Sequence, residues 1–183
     1  MQLGFATFFL NRTNRSGILN AGVIGGRDQS GRWKIDARYN AAELIFRIES
    51  IAKMRRRIKL TRSDALALLR HGLPRWTGKT LIYLDPPYYE QGRELYYDYY
   101  QPKDHADLAA FIRANMEGRP WIVSYDNVAP ISGLYAGYRN VVYNVGYTAR
   151  ETRVGKEVMF FSPTLAIPPL VGPIKQVAEA ETA

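Results

Sequence analysis

The sequence predicts an α/β fold, an open sheet whose buried strands alternate with helices. Residues 80–84 (TLIYL) form a continuous apolar run, which reads as a strand buried on both faces of a parallel sheet. Residues 121–125 (WIVSY) read as a second buried strand, and between the two, residues 104–115 place Leu108, Phe111 and Ile112 at helical spacing. The chain of 183 residues, 46% hydrophobic and 23% charged, is long enough to close a core and is neither disordered nor fibrous in composition.

Taken from the start, residues 3–10 (LGFATFFL) read as the end of a buried helix or strand. Residues 11–36 are dense in Gly, Asn, Arg and Ser, which predicts turns and a small hairpin, with Gly25-Gly26 and Ser30-Gly31 as turn points. A helix opens at Asn40, which forms a capping-box pattern with Glu43, and Leu44, Ile45, Ile48, Ile51 and Ala52 make its inward stripe. Lys53 and Arg55 to Arg57 close it, suited to the negative pole of the helix dipole. Residues 58–61 (IKLT) read as a short strand, Ser63 or Asp64 as the cap of a short helix through Leu69, and Gly72 and Pro74 as its breakers. Beyond WIVSY, residues 141–148 and 157–162 read as two more strands, paired antiparallel across a charged turn at 150–156. The tail, residues 163–183, holds four prolines and an Ala/Glu end and is expected to be mobile.

Composition excludes several chemistries. There are no cysteines, hence no disulfide, thiolate metal site or cysteine nucleophile, and His71 and His105 alone leave almost no room for a histidine-built metal centre. No apolar run approaches the roughly 18 residues of a membrane helix. The first ten residues lack the basic leader of a secretory signal, so a cytoplasmic chain with neither metal nor membrane partner is expected. The net charge of +8 is uneven: residues 1–79 hold 16 basic and 5 acidic side chains, residues 80–183 hold 9 and 12. A positive field confined to one part suits a polyanion, and the interleaving of Arg with Asn, Ser and Gly favours nucleic acid over a membrane surface. A solvated basic surface would account for the same count.

Asp85-Pro86-Pro87-Tyr88 follows TLIYL directly. Open α/β sheets bind ligands outside the carboxyl ends of their strands, so this is the position of a site. The Asp85 carboxylate can accept from an exocyclic amino group and stabilise the positive charge that grows on it during alkylation. The Pro86 carbonyl can accept from the same nitrogen, and the two prolines fix both acceptors. Tyr88 offers a face on which a planar base can stack. The plainer alternative is a strand-ending turn. The neighbouring tyrosines, Tyr89, Tyr96, Tyr97, Tyr99 and Tyr100, either cover such a base or pack half-buried under a long loop, and packing suits most of them. His105 reads as a capping or packing residue.

LIYLDPPYY resembles motif IV of amino-methyltransferases, and the chain from Phe8 to Ser162 is similar to the Dam-like DNA adenine methylases. FFLNRTNRSGI resembles the Leu-Asn-Arg segment that opens their target-recognition region, and IKLTRSDALALL the strand and acidic turn before motif IV. WIVSYDN and GKEVMFFS follow their C-terminal half in order and spacing. The resemblance implies an incomplete S-adenosyl-L-methionine (SAM)-dependent methyltransferase sheet, Rossmann-like, with a small inserted DNA-recognition region. Residues 8–57 would recognise DNA and residues 58–162 would form the C-terminal part of the catalytic domain. It implies site-specific methyl transfer to N6 of an extruded adenine in double-stranded DNA, the Asp at the first motif position favouring adenine over cytosine.

By the same resemblance Asp85, Pro86, Pro87 and Tyr88 would be catalytic, with Asp85 and the Pro86 carbonyl on the amino group and Tyr88 stacked on the base. Asp64 and Asp85 would bind the cofactor, Asp64 near its adenosine, although the aromatic residue the family often has next is Ala65 here. Asn11, Arg12, Asn14, Arg15 and the region to Lys34 would face DNA. The family's aromatic-x-Gly-x-Gly turn is not found; Gly22, Gly25 and Gly26 lie inside the recognition region with no suitable strand before them. A truncated or split form is therefore expected, with an incomplete SAM site and a separate N-terminal half as partner, serving either housekeeping methylation or a restriction–modification system. A non-catalytic DNA-binding remnant and an amino-methylase acting on RNA or an amide are the alternatives.

Overall fold

The two apolar runs lie side by side as parallel strands in the computed structural model, which describes residues 2–90, 92, 99–147 and 153–167. The described residues divide into two units, one ending at Arg62 and the other beginning at Ser63.

In the first unit, residues 2–13 form helix α1 (Gln2–Thr13), of which only Thr13 is buried. The burial expected of this apolar stretch is not found: Leu3 and Phe5 are 81% and 61% exposed. The expected hairpin shrinks to a single antiparallel bridge between Asn14 and Val23. The chain does turn at Gly25 and Gly26, whose φ angles of +88° and +82° favour a residue without Cβ. Gln29 ties this loop, donating to the Ile24 and Gly26 carbonyls at 2.8 and 2.6 Å and accepting from the Ile35 N–H at 2.8 Å. Helix α2 (Ala41–Lys53) starts as expected, with Asn40 accepting from the Glu43 N–H at 3.2 Å. Half of the box is made, because the Glu43 carboxylate pairs with Arg47 one turn on. Of its apolar stripe only Leu44 is buried, since no described layer of this unit covers Ile45, Ile48 and Ile51. Residues 58–61 are not a strand: none of the described strands offers them a ladder, and Leu60 is 93% exposed.

The second unit is mixed α/β. Its elements are α3 (Ala65–Gly72), β1 (Ile82–Leu84), α4 (Pro102–Asn115), β2 (Trp121–Asp126), α5 (Ala129–Leu134), β3 (Arg139–Tyr147) and β4 (Arg153–Phe161). The four strands form one sheet in the order β1-β2-β4-β3, with β1 and β2 parallel and β4 antiparallel to both its neighbours. The last two strands pair as expected, but β4 already includes Arg153 to Lys156, which read as turn; residues 148–152 lie outside the described residues. Helix α4 begins two residues before the expected Asp104 because Gln101 and Asp104 form the capping box and Pro102 fits the first helical position. Gly72 ends α3 where a Cβ would lie 2.2 Å from the Trp76 ring.

Side chains alternate across the sheet. Ile82, Trp121, Val123, Tyr125, Val158 and Phe160 share one face, and Leu69, Leu108, Ile112 and Ile131 from the helices close the core with them. The alternate residues Tyr83, Ser124, Asp126, Tyr143 and Glu157 fall on the other face by register. The strand before the tetrapeptide is therefore not buried on both faces: β1 is the edge of the described sheet, and Tyr83 is 53% exposed. Tyr96, Tyr97 and residues 168–183, most of the tail read as mobile, lie outside the described residues. Among the described residues no helix is long and apolar enough to cross a membrane, and no cluster of His, Asp and Glu is placed to hold a metal ion.

Candidate functional site

Asp85 is the first residue past β1, and the two prolines lead the chain out of the sheet. Ser124 on β2 donates its hydroxyl to Asp85 Oδ1 at 2.8 Å, and the Tyr83 hydroxyl lies 2.8 Å from the same Ser124 oxygen. Among the described residues nothing donates to Asp85 Oδ2, and no backbone N–H donates to the Pro86 carbonyl. Two acceptors on adjacent residues, one on exposed Asp85 and one on buried Pro86, thus stand at the carboxyl end of a strand without a donor among the described residues. Tyr88 donates its hydroxyl to Glu157 Oε1 at 2.9 Å, while Tyr143 donates to Oε2 at 2.6 Å. Burial and the Glu157 carboxylate hold the Tyr143 phenol well above the usual tyrosine range. Asp126 accepts from the N–H groups of Tyr89 and Glu90 at 2.8 and 3.0 Å. Residues 85–90 are therefore held at three points by polar side chains of β2 and β4. Ser124, Asp126 and Glu157 were not singled out in the sequence. Their signal was a polar side chain inside an apolar strand, which needs a partner when the strand is buried.

Asp64 caps α3, accepting from the Ala67 N–H at 3.0 Å. With Leu66, Tyr99, Tyr100 and Asp104 it lines a cavity of about 390 Å³. Asp104 has one oxygen committed to the Gln101 N–H at 2.7 Å. Burial, and then the charges of Asp64 and Asp104, push the Tyr100 phenol above its ordinary value. Of the cavity's residues the sequence indicated Asp64 as a ligand group; Asp104 read only as part of a helix. Asp85 does not line this cavity. The rings of Tyr89 and Tyr100 lie 5.1 and 5.2 Å from that of His105, which is buried with Nδ1 at 3.0 Å from the Tyr125 hydroxyl. These two tyrosines and His105 pack, as read from the sequence.

The residues expected to face DNA all lie in the first unit. Asn11 donates to the Gly17 carbonyl at 3.0 Å, Arg12 through Nε to the Arg38 carbonyl at 3.1 Å, and Lys34 to the Gln29 carbonyl. Arg12 keeps its terminal nitrogens, and Arg15 is exposed with no side-chain partner among the described residues. Asn14 differs: it is 6% exposed and its amide donates to the Leu19 carbonyl at 2.9 Å, so it shapes the loop. Arg27, Arg32 and Arg55 to Arg57 are exposed as well and widen the basic surface.

No protein-family model matches the chain, and no curated protein matches it.

Proposed function

We propose that the chain carries the DNA-recognition region and the target-base site of a SAM-dependent DNA adenine N6-methyltransferase. The observation that carries this reading is the Asp-Pro-Pro-Tyr segment past the end of β1, with neither Asp85 Oδ2 nor the Pro86 carbonyl given a donor among the described residues. An amino group has two hydrogens and suits two such acceptors. Held by them, its nitrogen directs electron density away from the protein toward an incoming methyl group, and the Asp85 carboxylate stabilises the positive charge that develops as the N–C bond forms. Tyr88, with its hydroxyl fixed by Glu157, presents a ring that stays put while a base stacks on it.

SAM, when bound, supplies the methyl group. The Asp64 cavity fits the nucleoside part of such a cofactor: its volume lies within the roughly 300–1,000 Å³ of small-molecule sites, and carboxylates and phenols suit ribose hydroxyls and a positively charged ligand. The first unit supplies a basic surface for the polyanion, with Arg12 and Arg15 as phosphate contacts.

The test is incubation of the purified chain, alone and with the SAM-binding half of a Dam-like methylase supplied in trans, with methyl-labelled SAM and, in parallel, duplex DNA, RNA and a peptide amide. Label recovered as N6-methyladenine in duplex DNA supports the reading. Label on RNA or on the amide alone moves the chain to another acceptor class, and duplex binding with no transfer to any acceptor even when that half is present makes it a DNA-binding remnant.

A further inference from the structure

We infer that Ser124, backed by Tyr83, is a positioning residue that presents the Asp85 carboxylate to the target amino group. The geometry stands by itself; its consequence for rate rests on the methyl-transfer reading above. A serine has one hydroxyl hydrogen and an ionised carboxylate can only accept, so the 2.8 Å contact uses the Ser124 hydrogen on Asp85 Oδ1. The Tyr83 hydroxyl, 2.8 Å from the same oxygen, is then the donor to Ser124. Two hydrogen bonds run in series into one carboxylate oxygen, and each strengthens the other.

The elements make this arrangement stiff. Ser124 is 3% exposed and lies between Val123 and Tyr125, both fixed in the core. Tyr83 sits on the outer face of the edge strand, half exposed, yet its hydroxyl reaches the buried serine on the next strand. Asp85 is itself exposed, and an exposed carboxylate without a tether rotates freely about its side-chain bonds. With Oδ1 occupied, its plane is set and Oδ2 remains as the acceptor for a ligand. Ser124 acts through Asp85 and need not touch the substrate.

The test uses the full chain with its aspartate carboxyl carbons labelled with ¹³C, and infrared spectra of the parent, Asp85→Asn, Ser124→Ala, Ser124→Thr and Tyr83→Phe. The band lost in Asp85→Asn identifies the Asp85 carboxylate. Ser124→Ala is expected to shift that band, Tyr83→Phe to shift it less and in the same direction, and Ser124→Thr to leave it near its parent position. In methyl transfer to duplex DNA, Ser124→Ala is expected to lower kcat about 10- to 100-fold with KM for DNA unchanged, and Ser124→Thr to restore most of the rate. Tyr83→Phe removes only a surface-strand hydroxyl, so the test stands even where Ser124→Ala does not fold. An Asp85 band indifferent to Tyr83→Phe and to every foldable Ser124 variant overturns the inference, as does a parental kcat in Ser124→Ala. A shifted band in a chain that transfers no methyl group even with the SAM-binding half supplied leaves the positioning standing and overturns the methyl-transfer reading.

Discussion

Arg119 and Asn14 show how little a side chain's role can be read from its type. Arg119 counts as one more positive charge in the sequence, but its guanidinium donates to the carbonyls of Leu73, Trp76 and Thr77 at 2.8–3.0 Å and ties the end of α3 to the segment before β2. Arg119→Ala should lower stability by about 1.5–3 kcal/mol, the range for hydrogen bonds to charged groups, read as a shift in the chemical-denaturation midpoint. An unchanged midpoint would mean that water replaces the guanidinium at no cost. Asp85, Pro86 and Tyr88 could be singled out as a candidate site because their chemistry is contiguous in the chain. Ser124 and Glu157 were not, because their partners come from strands far away in sequence, and only the sheet register brings them together.

At the scale of elements, local signals that close on themselves were readable and signals that depend on a neighbour were not. The Asn40 and Asp64 caps, the Gly25-Gly26 turn and the antiparallel pairing of β3 and β4 follow from residues close together in sequence. The IKLT strand failed for want of a partner strand, and the outer face of β1 for want of a layer over it. The short helix α5 was not singled out in the sequence: Pro130, Ser132 and Gly133 give it little helical signal, and Ile131 anchors it in the core. One glycine has a steric reason. Gly72→Ala would force the Trp76 ring away from a Cβ that has no space. Overpacking of this kind costs about 1–3 kcal/mol, and tryptophan fluorescence should report the displaced ring together with a lower melting temperature. A parental emission and melting temperature in Gly72→Ala would show that the ring has another place to go.

For the whole molecule, two dependences on solution conditions follow. Burial lowers the His105 pKa below its ordinary 6.5, and outweighs the opposing charges of Asp126 and Asp104. A buried base with a depressed pKa contributes stability that is fully present above 6.5 and is lost as pH falls through the folded-state value. The melting temperature should therefore drop between pH 7 and 5 more steeply in the parent than in His105→Phe, whatever the starting stability of the variant. Equal slopes would assign the acid loss to the carboxylates. Duplex binding should weaken with salt, and Arg15→Ala should reduce the log–log slope by roughly 0.9, one phosphate contact. Arg113, engaged with the Leu134 carbonyl and the Tyr138 ring, is the control whose replacement leaves that slope alone.

The claim that joins these scales is that Asp85 orients and stabilises an adenine amino group, and its most direct test is the rate of N6-methyladenine formation in duplex DNA at saturating SAM, parent against Asp85→Asn. The asparagine keeps the shape and one acceptor but loses the charge. With the separate SAM-binding half supplied in trans, measurable transfer by the parent and a rate roughly 10²–10³ lower in the variant are expected. Equal rates in the two proteins, or no N6-methyladenine from either, would contradict that claim.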